Sequence, residues 1–185
     1  MDFLETSVKQ FQYYKSLGDG ALKQLKAEDL FWQIHEQSNS IAIFIKHLNG
    51  NMLSRFTDFL SSDGEKEWRD REAEFELENK DAEQVLAWWS QGWDCLFKAL
   101  DGLTEADLDQ IVYIRNQGHT VRQAILRQVA HYAYHVGQIV LIGTMLKGAD
   151  WQSLSIPKGS SRAYNADKFA QEKRIGHFTD EFRNK

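Results

Sequence analysis

The sequence predicts an all-α fold, a four-helix bundle, with a small hairpin before the last helix and an ordered irregular C-terminal tail. Three observations carry that prediction. Pro157 is the only proline in 185 residues, and proline interrupts helices because it lacks an amide donor and its ring clashes with the preceding turn. Apolar residues recur at helical spacing in four separate segments. Residues able to cap a helix stand at the starts of three of these segments.

The first helix is expected over Phe3 to Leu25, with Phe3, Val8, Phe11, Leu22 and Leu25 in phase and Gly18 and Gly20 weakening its middle. The second is expected from Ser40 to Leu60. Ile41, Phe44, Ile45, Leu48, Met52, Phe56 and Phe59 share one side, and Asn39 or Ser38 is placed to cap it. Ser61 to Lys80 is long and charged and carries Trp68, which suggests a loop that packs over something. The third helix, Ala82 to Leu100, has Asp81 and Gln84 at capping-box spacing and a stripe of Val85, Leu86, Trp89, Trp93, Leu96, Phe97 and Leu100. A hairpin is predicted from Ile111–Arg115, Asn116-Gln117-Gly118 and His119–Val121. The fourth helix, Val121 to Leu146, opens on a Thr120/Gln123 capping box and ends before Gly148.

After Lys147 the chain is expected to be irregular, bent at Pro157 and Gly159, and laid across the bundle. Trp151, Leu154, Ile156, Tyr164 and Phe169 are too many large apolar groups for a free tail. The length fits one domain, 1–185, with 148–185 as a C-terminal extension.

A net charge of −5 and no lysine/arginine block argue against nucleic-acid binding, which needs a positive surface to displace counterions. The single cysteine, Cys95, cannot form an internal disulfide and reads as a packing residue. Asp2 and Glu5 stand where a signal peptide would be basic and then apolar, so a cytoplasmic location is expected. Gln128 to Leu146 nears membrane-span length. Its two glutamines, two histidines and two glycines make it a buried bundle helix instead.

From Thr120 to Leu146 there is no lysine, aspartate or glutamate. At about 100° per residue, Arg127, Gln128, His131, His135 and Gln138 fall within one sector of about 100°, shared with Ala124 and Ile142. Imidazoles and amides in place of lysine and glutamate suit a wet or metal-filled cavity between helices. His131 and His135, four residues apart, differ by about 40° around the axis and about 6 Å along it. Both rings can therefore reach one ion at roughly 2.0–2.1 Å. The alternative is two core histidines that donate to backbone carbonyls. A third ligand must come from elsewhere, and His35, His47, His119 and His177 are candidates. Periodicity does not select His47. It lies about 120° from the centre of its helix's apolar face, beside Asn51, Ser54 and Asp58, the position of a surface histidine. HExxH, Glu-x-x-His pairs, a P-loop and GxGxxG are all absent.

The run His131-Tyr-Ala-Tyr-His135-Val-Gly137-Gln138-Ile139, together with Ile45-Lys46-His47-Leu48, resembles the DinB-like, or YfiT-like, superfamily. Lys46–Phe75, Arg127–Val140 and Ser153–Ala166 are closer still to one bacterial branch, catalogued mainly as a domain of unknown function. The resemblance covers about Asp2 to Phe169. It implies a four-helix bundle with a metal, usually zinc or nickel, on His47, His131 and His135. It also implies a homodimer, and an activity such as transfer of a low-molecular-weight thiol to a small electrophile, thiol-dependent isomerisation or hydrolysis.

Three histidines leave a coordination position open, where an ion lowers the pKa of bound water or holds a thiolate. The resulting readings are a thiol transferase, a hydrolase using metal-bound hydroxide, and a non-enzymatic metal- or ligand-binding dimer module. Arg55, Arg69, Arg71 and Arg127 are the candidates for binding substrate carboxylates, with surface or interface salt bridges as the alternative. Arg55, Arg127 and Gln138 are the residues selected for a small-molecule substrate. Asp58 and Glu65 are the only general bases in view, and no catalytic residue is assigned.

Overall fold

The computed structural model describes residues 2–182. Among them are five α-helices and one antiparallel hairpin: α1 (Phe3–Leu22), α2 (Ile41–Phe56), α3 (Ala82–Asp101), β1 (Ile111–Ile114), β2 (Gln117–Thr120), α4 (Val121–Lys147) and α5 (Ser161–Phe169). α2 packs along α3 and α1 along α4, while α2 also meets α4 and α1 meets α3. Phe11 of α1, Ile45 and Met52 of α2, Trp93 and Leu96 of α3, and Ile125, Tyr132 and Ile139 of α4 share one buried apolar cluster.

Side-chain caps fix where the helices begin. Asp2, Ser40, Asp81 and Thr120 each accept from the backbone N–H three residues on. Thr120 and Gln123 form the reciprocal box expected of them. The cap of α2 is Ser40, not Asn39 or Ser38. α2 stops at Phe56, before the expected Leu60, because Thr57 turns extended and Asp58 takes a positive φ.

α1 runs through Gly18 and Gly20. A Cβ on Gly18 would lie 2.4 Å from the ring of Trp89, so the missing side chain lets α3 approach. Between the glycines, Asp19 accepts from Trp89 Nε1 at 2.7 Å. The helix weakness expected at these positions is offset by interhelical packing.

In the hairpin, Ile111 faces Thr120 and Ile114 faces Gln117. The turn is thus Arg115-Asn116, with φ of 55° and 60°, the left-handed pair of a tight two-residue turn. Asp63 accepts from both of their backbone N–H groups at 2.8 Å. The 61–80 connector therefore holds the unusual turn in place and is tied to the hairpin by it.

Two expectations about the C-terminal half need correction. α4, expected as a buried bundle helix, is buried on one side only: Leu126, Tyr134, Leu141 and Met145 are exposed along its outer face. The tail is not irregular throughout, because α5 forms once the Pro157–Ser160 turn has ended. Arg162, Ala163, Ala166 and Lys168 are good helix formers. Trp151 and Leu154 do pack on the core, but Phe169 is 85% exposed. No helix among the described residues is long and apolar enough to cross a membrane.

Candidate metal centre

His131 and His135 lie in mid-α4, one turn apart, facing α2. His47 sits in mid-α2 and is 5% exposed. Its Nε2 lies 3.3 Å from His131 Nε2, and His135 Nε2 lies 3.1 Å from the same atom. One ring nitrogen from each of the three falls within 4.8 Å of the others. Nitrogens bound tetrahedrally to one ion at about 2.0–2.1 Å stand about 3.3–3.4 Å apart; the two contacts of His131 already match that spacing, and His47 and His135 have to close from within 4.8 Å.

Proton accounting explains why these nitrogens can meet. Glu74 Oε2 is 2.8 Å from His47 Nδ1, Gln138 Oε1 is 2.8 Å from His135 Nδ1, and Gln128 Oε1 is 3.3 Å from His131 Nδ1. Each partner is an acceptor, so each Nδ1 carries the ring proton of a neutral imidazole. All three Nε2 lone pairs then point into one space with no hydrogen to share between them. Such a set repels itself until a cation or a donor occupies the centre. The two glutamines stand three residues from their histidines on α4, where helix geometry brings side chains together.

The two α4 rings are held neutral. Burial pushes His131 down to about 3, with the neighbouring His135 and His47 adding to the effect. Burial, with His47 nearby, lowers His135 to about 4, partly opposed by its bond to Gln138. Burial pushes Glu74 the other way, but hydrogen bonds from His47 and Arg69 outweigh it and hold its carboxyl below the ordinary carboxylate range.

His47 faces inward because α2 has almost no solvent face. The connector that follows it folds back over the flank carrying His47, Asn51, Ser54 and Arg55, all of which are buried. The helical wheel assumed that this polar flank met water. Tyr132 donates to Asn51 at 3.0 Å, and Ser54 Oγ donates to Gly64 O. The loop expected to pack over something does so, although its Trp68 is 59% exposed. Its buried contribution is a turn at Ala73–Phe75, where Glu74 meets His47 and the Phe75 ring stacks on His47 at 5.1 Å.

The other candidates are distributed as follows. His35 is exposed. His119 lies in β2 with a buried, unpartnered Nε2. His177 pairs with Thr179 and stacks on Phe178. Arg55 is 6% exposed and donates to Gly64 O and to Glu65. Arg69 is committed to Glu74 and Glu65. Arg71 lies over the Phe75 ring, and Arg127 is exposed on α4. Gln138 faces His135 as its acceptor. Asp58 is exposed past the end of α2, whose last residue, Phe56, already lies roughly 14 Å of helical rise from His47. Glu65 is gripped by Arg55, Arg69 and Arg115. Cys95 bonds weakly to Thr57, and burial raises its thiol.

Sequence reasoning missed Glu74 and the pairing that supports it. The signal that could have found it is a carboxylate in a connector already expected to cover the bundle.

No curated protein and no solved structure matches the chain. A family does match, over residues 1–160, which include all three histidines and the turn that carries Glu74. The chain belongs to the family described as "Protein of unknown function (DUF1572)".

Proposed function

We propose that this protein is a metal-dependent enzyme of DinB-like, four-helix-bundle type, 1–185 forming one domain with 148–185 as its extension. In this reading His47, His131 and His135 hold one divalent ion, zinc or nickel. The observation that supports it most is the convergence of three Nε2 lone pairs whose Nδ1 protons are all committed elsewhere. When bound, the ion supplies positive charge at an open position that can hold a thiol as its thiolate.

The chain's own residues would provide orientation and exclusion of water. Glu74, Gln128 and Gln138 fix the three rings. Phe44, 5.4 Å from His135, and Phe75 on His47 give the centre apolar flanks. The reaction in this reading is attack of a low-molecular-weight thiolate on a small electrophile, forming a carbon–sulfur bond as the leaving group departs. Gln138 and Arg127 are the polar groups proposed to meet the substrate on the α4 side. A cytoplasmic location and a homodimer complete the proposal.

The test is turnover of small electrophiles by metal-loaded protein with and without added thiol. Thiol-dependent product formation that His131→Ala abolishes is the expected result. Thiol-independent hydrolysis would replace the transferase reading by the metal-hydroxide one. A fully loaded protein with no turnover would replace both by a metal- or ligand-binding module.

A further inference from the structure

Three residues of α2 act on one turn of the connector. His47 donates Nδ1–H to Glu74 Oε2. One residue earlier, Lys46 Nζ donates to Ala73 O at 2.7 Å and Glu76 O at 2.8 Å, pinning the backbone on both sides of Glu74. Three residues after His47, Gly50 presents bare backbone to the same carboxylate. A Cβ there would stand 2.1 Å from Glu74 Oε1 and 2.8 Å from its Cδ. On the far side, Arg69 holds Glu74 through Nε at 2.7 Å and through its terminal nitrogen at 2.9 Å. Both side chains are nearly sealed from solvent, at 2% and 7% exposure.

We propose that Glu74 is the positioning residue of the metal centre and that Gly50 is its seat, so that the 61–80 connector completes a site whose ligands all lie on α2 and α4. The inference rests on the metal reading above. It goes further by assigning unequal roles to the three ligands. His131 and His135 lean on neutral amides, whereas His47 leans on a carboxylate clamped by a guanidinium. A carboxylate behind the ring fixes its tautomer and strengthens its free nitrogen as a donor. His47 is therefore the ligand whose orientation depends on a segment outside the helices. Any event that lifts the Ala73–Phe75 turn would also loosen the metal. A methyl group at Gly50 cannot be absorbed by its helix, so Gly50→Ala displaces the carboxylate while leaving Glu74 and every metal ligand in the sequence.

The experiment uses the full chain and Co2+ as probe, read by affinity and by visible absorption, with histidine 15N–1H spectra of the metal-free protein as a second readout. Glu74→Gln and Gly50→Ala are each expected to weaken Co2+ binding by about 10–100-fold and to alter the absorption bands. Each should also shift the His47 Nδ1–H signal in the absence of metal. Because both act on one contact, the double variant is expected to lose little more than either single one. Wild-type affinity, absorption and His47 signal in both single variants would overturn the inference and leave the metal reading standing. A wild-type protein that takes up no Co2+ would overturn the metal reading and this inference with it.

Discussion

Replacing Arg69 by methionine removes the guanidinium that neutralises Glu74 while keeping a long side chain in the same space. The two partners are 2% and 7% exposed and share two hydrogen bonds of 2.7 and 2.9 Å. Breaking a buried pair in this way costs about 3–5 kcal/mol, because the remaining charge is left uncompensated. The additional contact from Arg69 to Glu65 is longer, 3.5 Å, and Glu65 is 23% exposed, so it contributes under about 1 kcal/mol. Glu74 keeps its bond from His47, which places the expected loss near the lower end, about 3 kcal/mol. Urea unfolding of the metal-free protein reads this as a midpoint lower by about 1–2 M at unchanged slope. The pair also has a pH signature. Glu74's carboxyl is lowered from 4.5, so its contribution is complete above that pH and is lost as pH falls through the depressed folded value. The gap between wild type and Arg69→Met should therefore narrow in acid. In Arg69→Met/Glu74→Leu, where neither charge of the pair remains, most of the stability should return while His47 loses its support. A loss under about 1 kcal/mol in the single variant, with the fold intact, would refute the claim that this pair anchors the connector.

His131→Ala should abolish stoichiometric metal uptake, since two histidines make a weak site for an exchangeable ion. Its circular dichroism should remain helical because the apolar cluster is untouched, and retained metal by elemental analysis would refute the ligand role. For the metal-free wild type, folded His131 and His135 resist protonation down to about 3 and 4, whereas the unfolded chain takes up protons below 6.5. Stability is therefore full above about pH 6.5 and should fall as pH drops from there towards 4. A flat urea midpoint between pH 7 and 5 would contradict this. Trp151→Ala should lower stability by about 2 kcal/mol, the order expected for a partly buried large side chain, because the ring lies against Gly143 on α4. An unchanged melting temperature would show that the segment after α4 does not support the fold.

What the sequence revealed, and what it hid, divide along a physical line. The stripe of α3, the Thr120 capping box and the hairpin depend on neighbours in the chain, and the structure places all three within a residue or two of expectation, except that Leu86, expected in the stripe, is 45% exposed. The same holds for His131 and His135, which one helix presents together. His47 was obscured because a helical wheel describes one helix in water, whereas α2 is covered on its polar flank by a segment that starts only a few residues beyond its end. Glu74 has no periodicity at all. Its role exists only because Lys46, Gly50 and Arg69 bring it to His47. α5 was missed since Pro157 and Gly159 dominate their surroundings locally, yet the turn they make ends before Ser161. The resemblance selected His47 where periodicity had left four histidines open, and the geometry now supplies the reason that residue can serve.

The most direct test of the metal centre is X-ray absorption on protein prepared without a histidine tag, together with metal stoichiometry on the same sample. The expected result is about one zinc or nickel ion per chain with three imidazole nitrogens at about 2.0–2.1 Å, lost in His131→Ala. A protein that binds no divalent ion, or whose bound ion keeps its coordination when His131 is removed, would contradict the account.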